Sequence, residues 1–275
     1  MTTTDSQQRT GTTSSFDARP PWWRRHKEVL LGLCGVIGVL TIWQLATSLG
    51  AIDPRFSSSP LGAFQGLISL AGSGEIWGST ANTLIAVAEG IGITLAVGIP
   101  VGLITGRVSV LYGLFEPLIS VMYAVPFVIF LPIIIFWFGI GDKARLVIII
   151  WASIFPLLIN VVAGARNLDR NYLQVSQVFC ASRKKTLFSV ALPGTMPYIL
   201  AGIRQAVGRA LVGAIVAELF IGSHGIGFLV QLETSNFEMD KAMGAIAVIA
   251  AVAILLTRGV AFLEQRLTFW SDSSD

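Results

Sequence analysis

Residues 174–193, QVSQVFCASRKKTLFSVALP, form the one long segment that is too polar to cross a membrane in a chain otherwise made of apolar runs. Its pattern predicts two short helices joined by a turn. Ser182 suits the N-cap of the second helix, residues 183–185 keep one side in water, and Pro193 predicts a break before the next apolar run. The apolar contacts of the segment are Leu173, Val178, Phe179, Leu187 and Phe188.

The composition explains why the remainder of the chain belongs in lipid. Of its 275 residues, 53% are hydrophobic and only 13% are charged, which excludes a soluble domain of this size. The two cysteines, Cys34 and Cys180, have neither a disulfide framework nor a metal-ligand spacing, so we interpret both as reduced structural residues.

Six apolar runs are each long enough to cross about 30 Å of hydrocarbon as a helix. We therefore predict an all-α integral membrane protein of six transmembrane helices, with a cytoplasmic helix-turn-helix loop between the fourth and the fifth. Prolines 126 and 132 in the third span and Pro156 in the fourth predict breaks in helices that face the bundle interior. The alternative is a simple lipid-facing kink. The spans are Val29–Leu49, Leu84–Thr105, Leu118–Phe138, Leu146–Gly164, Tyr198–Phe220 and Ala242–Phe262.

The chain divides by composition into four parts. Residues 1–20 are polar and predict a disordered cytoplasmic tail, and residues 268–275 a second cytoplasmic tail. Residues 21–80 hold the first span and an outer segment, and residues 81–267 hold the other five spans. Within the outer segment the apolar residues have helical spacing, so this helix either lies at the membrane surface or packs on the bundle. These apolar residues are Leu61, Phe64, Leu67, Ile68 and Leu70.

The distribution of Lys and Arg predicts the orientation in the cell membrane. If the amino terminus is inside, thirteen of the nineteen basic residues lie in cytoplasmic segments, four lie outside and two lie within the fifth span. The positive-inside rule then places both termini and the loop at 174–193 in the cytoplasm.

The spacing of residues 174–193 resembles the EAA loop of ABC importer permeases, whose pattern is E-A-A, three residues, G, nine residues, I, one residue and L-P. The spacing is kept, while Glu has become Gln, the last Ala has become Ser and Gly has become Cys. The aligned positions are Gln174, Val175 and Ser176 for E-A-A, Cys180 for G, and Val190, Leu192 and Pro193 for I-x-L-P.

Further stretches look like the nitrate/sulfonate/taurine branch of these permeases, and the likeness runs from Pro60 to Leu267. They are GEIW at 74–77, FWFGIGD at 136–142, FPLLIN at 155–160 with AG at 163–164, and VAE at 216–218 followed by GIG at 225–227. The resemblance implies a homodimer with the translocation path at the dimer interface, two cytoplasmic ABC ATPase subunits and an extracytoplasmic substrate-binding protein. It implies a small, often anionic solute such as a sulfonate, taurine or nitrate; thiamine precursors and aromatic acids stay open.

By the same resemblance, residues 179–183 are the coupling helix that docks on the ATPase. Val178 and Phe179 would enter an apolar groove, and Arg183 would meet acidic residues on its rim. The alternative is a solvated amphipathic loop. The full set assigned to this loop is Gln174, Val175, Ser176, Val178, Phe179, Cys180, Ala181, Ser182, Arg183, Leu192 and Pro193.

The sequence gives little support for catalysis in this chain. It has no Gly-Lys dipeptide and hence no phosphate loop, and it has no H-E-x-x-H and no G-x-S-x-G. We expect no cofactor or metal here, ATP and Mg²⁺ on the partner ATPase, and no nucleic acid among the partners. The alternatives are a secondary transporter or channel, a membrane enzyme, and a scaffold that transports nothing.

A charge inside a span is costly unless it is paired or hydrated. The candidate ionisable residues within the predicted spans are Glu89, Arg204, Arg209 and Glu218. We expect Arg204 to reach the membrane surface with its long side chain and Glu218 to be interfacial. Arg209 is predicted either to pair with an acid such as Glu89 or to face the pathway and attract an anion.

Overall fold

A computed structural model describes residues 22–168, 178–179, 182–222 and 224–267, and within these ranges it contains helices and turns but no strand. The predicted all-α architecture is therefore confirmed, whereas the predicted tails at 1–20 and 268–275 lie outside the described residues. The helices are α1 (Trp22–Ser48), α2 (Pro54–Ser57), α3 (Pro60–Ser73), α4 (Glu75–Arg107), α5 (Ser109–Ala124), a 3-10 helix (Phe127–Phe130), α6 (Leu131–Phe138), α7 (Asp142–Arg166), α8 (Arg183–Thr186), a π-helix (Leu187–Ala191), α9 (Leu192–Ile221), α10 (Ile226–Ser235) and α11 (Met239–Leu267).

Within the described residues, five helices are each long and apolar enough to cross a membrane: α1, α4, α7, α9 and α11. They match the first, second, fourth, fifth and sixth predicted spans. The chain forms two compact units, residues 1–51 and residues 52–275. In the first unit, α1 exposes apolar side chains along its length, as expected of a helix in lipid, and Cys34 on it is a free thiol.

The second unit is built on α7, which packs against both α4 and α9. Gly98 and Gly102 of α4 lie against Leu157 and Val161 of α7, and a Cβ atom at either glycine would come within 3.0 Å of these side chains. Small residues allow the two helices to approach closely. The resulting van der Waals packing holds helices together inside a membrane, where the hydrophobic driving force is missing.

Helix α7 runs without interruption through Pro156. Pro156 is buried, and Asn160 Nδ2 donates a hydrogen bond to the Pro156 carbonyl at 2.8 Å. The predicted break at Pro156 is wrong, because packing against two neighbouring helices keeps both sides of the proline in line. The prediction that this span faces the bundle interior is confirmed.

The third predicted span is not one straight helix. After α5, Val125 and Pro126 adopt extended backbone angles, and the two helical arms, 109–124 and 127–138, meet at 92°. The predicted break at Pro126 is thus confirmed. The predicted break at Pro132 is wrong, because Pro132 lies in the first turn of α6, where its missing N–H has no helical partner to lose.

The outer helix α3 packs on the bundle through its small residues. Gly62 and Gly66 lie against Asp240 at the start of α11, and the Ser58 hydroxyl donates to the Asp240 carboxylate at 2.5 Å. Leu61 and Phe64, each 60% exposed, lie on the outward side. Of the two alternatives predicted for this helix, a position at the membrane surface or packing on the bundle, the structure shows packing on the bundle.

Candidate functional site

The described part of the predicted coupling loop presents an exposed apolar pair. Val178 and Phe179 are each 80% exposed. Three residues later, the Ser182 hydroxyl accepts a hydrogen bond from the Lys185 N–H at 3.3 Å, which is the predicted N-cap of the short helix α8. The exposed pair therefore precedes a capped helix start.

The chain continues from α8 into α9 without leaving the helix. The π-helix of residues 187–191 links the two helices, and Pro193 lies in the first turn of α9. The predicted break at Pro193 is wrong. In a regular α-helix the ring of Pro193 would clash with the carbonyl group four residues earlier, and the wider π turn leaves room for the ring.

Five residues assigned to the coupling loop lie outside the described residues, so the structure gives no account of them. They are Gln174, Val175, Ser176, Cys180 and Ala181. Arg183 begins α8, and Leu192 begins α9.

Arg209 lies on α9 beside the break after α5. It lines a cavity of about 200 Å³, and its guanidinium carbon is 5.9 Å from the centre of the Tyr123 ring. Among the described residues no carboxylate pairs with Arg209, so the predicted pair with Glu89 is not formed in this chain. The remaining lining residues are Met122, Ala124, Val125, Pro126, Phe127, Trp151, Ala152, Phe155 and Pro156.

The chemistry of this cavity suits a small anion. Arg209 offers several N–H donors in a plane, and the Tyr123 ring faces its cation. Trp151 and Phe155, whose ring centroids are 5.6 Å apart, give the cavity an aromatic wall. Sequence reasoning selected Arg209 but missed these aromatic residues; the proline three residues after Tyr123, Pro126, was the available signal.

Two other predicted residues have different surroundings. Arg204 is exposed and forms an ion pair with Glu264 of α11. Glu89 is exposed on α4, and no ion pair involves it among the described residues.

Glu218 is fully buried, so the prediction of an interfacial Glu218 is wrong. Its carboxylate accepts hydrogen bonds from the Thr83 hydroxyl and the Gly227 N–H, each at 2.9 Å, and Arg145 Nη1 is 3.5 Å away. Thr83 also accepts from the Ile226 N–H at 2.9 Å. A buried carboxylate satisfied in this way joins four helices, α4, α7, α9 and α10.

The glycines beside Glu218 explain the sequence GIG at 225–227. Gly225 has a φ of +107°, and a Cβ atom at Gly225 or Gly227 would come within 3.0 Å of the Glu218 side chain. The loop can therefore close over the carboxylate only with glycine at these positions. Toward the surface, Arg145 and His224 each lie 3.0 Å from the Asp142 carboxylate. We interpret this cluster as structural.

The described residues contain no group of three or more His, Cys, Asp and Glu side chains that could hold a metal ion. The described part of the second unit thus holds the Arg209 cavity, the buried Glu218 cluster and the exposed apolar pair that precedes the N-cap of α8.

Comparisons with known proteins identify the family and the fold of the chain. The family described as "binding-protein-dependent transport system inner membrane component" matches residues 98–269. The taurine transport system permease protein TauC of Escherichia coli (strain K12) is 31% identical over 90% of this chain and 92% of its own length. The bicarbonate transport system permease protein CmpB of Synechocystis sp. is 30% identical over 96% of this chain and 98% of its own length. An inward-facing structure of the MetNI methionine ABC transporter, 15% identical, shares the fold with a TM-score of 0.56 over 70% of this chain and 94% of its own.

Proposed function

The chain belongs to the family of binding-protein-dependent transport system inner membrane components, and from this premise we propose that it is the permease subunit of an ATP-driven importer of a small oxyanion. TauC is named for taurine, which carries a sulfonate, and CmpB for bicarbonate. Both solutes present negatively charged oxygens.

The observation that carries the proposal is Arg209 in its cavity. A guanidinium within a membrane span is costly unless it is paired or hydrated, and no carboxylate pairs with it among the described residues. Planar N–H donors bind sulfonate, carboxylate and related groups through parallel hydrogen bonds. A cavity of about 200 Å³ also limits the solute to a small one.

The homodimer follows from the same cost. Arg209 and Glu89 are both exposed on the surface of the single chain, although each lies well inside a spanning helix. Contact of these charges with lipid is unfavourable. A second copy that covers Arg209 and encloses its cavity turns that surface into a hydrated path between the two chains, as the resemblance implies.

Coupling to a separate ATPase is supported by the exposed pair Val178 and Phe179. Apolar side chains at this level of exposure suit a helix-in-groove contact with a partner. The positive-inside rule puts this segment in the cytoplasm, where ATP and Mg²⁺ would be bound by the ATPase. An extracytoplasmic binding protein would deliver the solute to the other side.

The test is uptake of radiolabelled taurine and bicarbonate by cells that contain or lack this chain, together with identification of the proteins that co-purify with it. We expect chain-dependent uptake of at least one oxyanion and a P-loop ATPase in the purified complex. Arg209→Gln should reduce the uptake at low solute concentration at least tenfold, because it removes a charge-assisted contact.

Arg258→Gln is the matched control, since Arg258 lies on α11 away from the cavity. It should leave uptake unchanged. Uptake that persists when ATP is depleted but stops when the ion gradient is dissipated would refute the importer proposal in favour of a secondary transporter.

A further inference from the structure

A second cavity lies along the same two helices that border the Arg209 cavity. It has a volume of about 250 Å³ and is formed by the start of α5 and the end of α7. Tyr112 of this cavity and Tyr123 of the Arg209 cavity are eleven residues apart on α5, which is about 16 Å along a helix. Its lining residues are Tyr112, Glu116, Ile119, Ser120, Ile159, Val162, Ala163, Arg166 and Asn167.

Arg166 provides the positive charge of this cavity. Its guanidinium carbon lies 3.6 Å from the centre of the Tyr112 ring, a close stacking contact that orients the planar group. No carboxylate of the described residues lies within ion-pair distance of Arg166. The edge of the guanidinium therefore keeps its N–H donors for another acceptor.

Glu116 provides a negative charge in the same cavity. It lies one helical turn after Tyr112, is half-buried, and accepts a hydrogen bond from the Ser120 hydroxyl at 3.0 Å. It forms no ion pair with Arg166. Arg166 contacts Tyr112 of α5, Glu116 contacts Ser120 of α5, and both charged groups line the same cavity.

Opposite charges that line one cavity without touching are suited to a ligand that carries both charges. An oxyanion group would bind Arg166, and an ammonium group would bind the carboxylate of Glu116. A simple anion would gain only the first contact and would be repelled by Glu116. The volume is below the roughly 300–1,000 Å³ of sites for drug-sized ligands, so the ligand is small.

We propose that the cavity between Glu116 and Arg166 is a second solute site on the transport route and that it binds a zwitterion with a sulfonate or similar oxyanion at one end and an ammonium at the other. This inference rests on the proposed transport function and specifies its substrate class. It predicts that the permease itself, and not only a binding protein, distinguishes amino-substituted oxyanions from plain ones.

Two sulfonates that differ only in the relevant group provide the test: taurine, which carries an ammonium, and isethionate, which carries a hydroxyl instead. Binding of each is measured by equilibrium dialysis with the purified complex in nanodiscs of phosphatidylglycerol, without a binding protein. We expect the unmodified complex to prefer taurine. Glu116→Gln should weaken taurine binding about tenfold, because one charge-assisted contact is lost. Isethionate binding should be retained or become tighter, because the repulsion between Glu116 and the sulfonate is removed.

Glu75→Gln makes the same change at an exposed residue outside the cavity and should alter neither affinity. Retained isethionate binding shows that Glu116→Gln is folded. Ser120→Ala is the second variant; it removes the donor that positions Glu116 and should weaken taurine binding to a smaller extent.

An unchanged preference for taurine in Glu116→Gln would overturn the inference, as would a lack of taurine binding by the unmodified complex. Phosphatidylethanolamine also carries a phosphate and an ammonium; if adding it to the nanodiscs displaces taurine from the unmodified complex but not from Glu116→Gln, the site belongs to a lipid headgroup. If uptake of both sulfonates in cells is independent of this chain, the proposed function fails as well. If chain-dependent uptake persists, only the zwitterion site fails.

Discussion

Thr83→Val isolates the contribution of one buried hydroxyl to the stability of the second unit. Valine has nearly the same shape as threonine, so the substitution creates no cavity. It removes the acceptor of the Ile226 N–H and one donor to the Glu218 carboxylate, both at 2.9 Å. Leaving a buried N–H without a partner costs about 1–3 kcal/mol, and losing a hydrogen bond to a charged group costs about 1.5–3 kcal/mol.

We expect a loss of about 3 kcal/mol, near the lower end of the combined range, because Glu218 keeps the Gly227 N–H and the charge of Arg145. For a folded unit of this size, 1 kcal/mol corresponds to roughly 2–4 °C in Tm, so Tm should fall by about 6–12 °C. The assay is thermal unfolding of the purified chain in detergent, followed by tryptophan fluorescence.

The control is Thr257→Val, which makes the same chemical change on another spanning helix. The Thr257 hydroxyl is exposed and donates only to the Ala253 carbonyl of its own helix, at 2.7 Å. Its Tm should therefore stay within about 2 °C of the unmodified value. Equal Tm values for the two variants would refute the reasoning that the buried cluster stabilises the fold.

Two further predictions concern helix packing and coupling. Gly66→Ala should destabilise the contact between α3 and α11 by about 1–3 kcal/mol, because the added Cβ atom would overlap the backbone of Asp240. Gly72→Ala on the same helix is the control, since its Cβ atom would meet open space and the stability should not change. Equal Tm values for the two variants would contradict the close contact. Ala181→Glu should uncouple ATP hydrolysis from uptake, because it places a charge in the predicted docking helix. Uptake and expression are measured in the same cells. Undiminished uptake at normal expression would count against that docking site.

Features that depend on neighbouring residues in the sequence could be predicted. The five straight spans follow from the length of apolar runs, the break at Pro126 from proline itself, and the cap at Ser182 from the local preference for a hydroxyl before a helix. None of these needs information about a distant residue.

Features that depend on tertiary contacts could not be predicted in the same way. Glu218 lies 135 residues from Thr83, so nothing near Glu218 in sequence shows that its carboxylate is satisfied and buried. Pro156 does not break α7, because α4 and α9 hold the helix in line. The second cavity could not be predicted, because Glu116 and Arg166 are far apart in the sequence and neither lies in a recognised motif.

The glycine contacts between α4 and α7 also constrain how the protein moves. Helices whose backbones are separated by no more than a glycine cannot slide or rotate against each other without steric overlap, since packed interfaces do not deform continuously. Gly202 and Gly213 of α9 approach α7 in the same way, so we expect α4, α7 and α9 to move together as one block. The extended residues Val125 and Pro126, where the chain turns by 92°, are where a hinge between this block and α5 would lie. Tyr123, which faces Arg209, is two residues from that hinge, so rotation there would change the shape of the anion cavity directly.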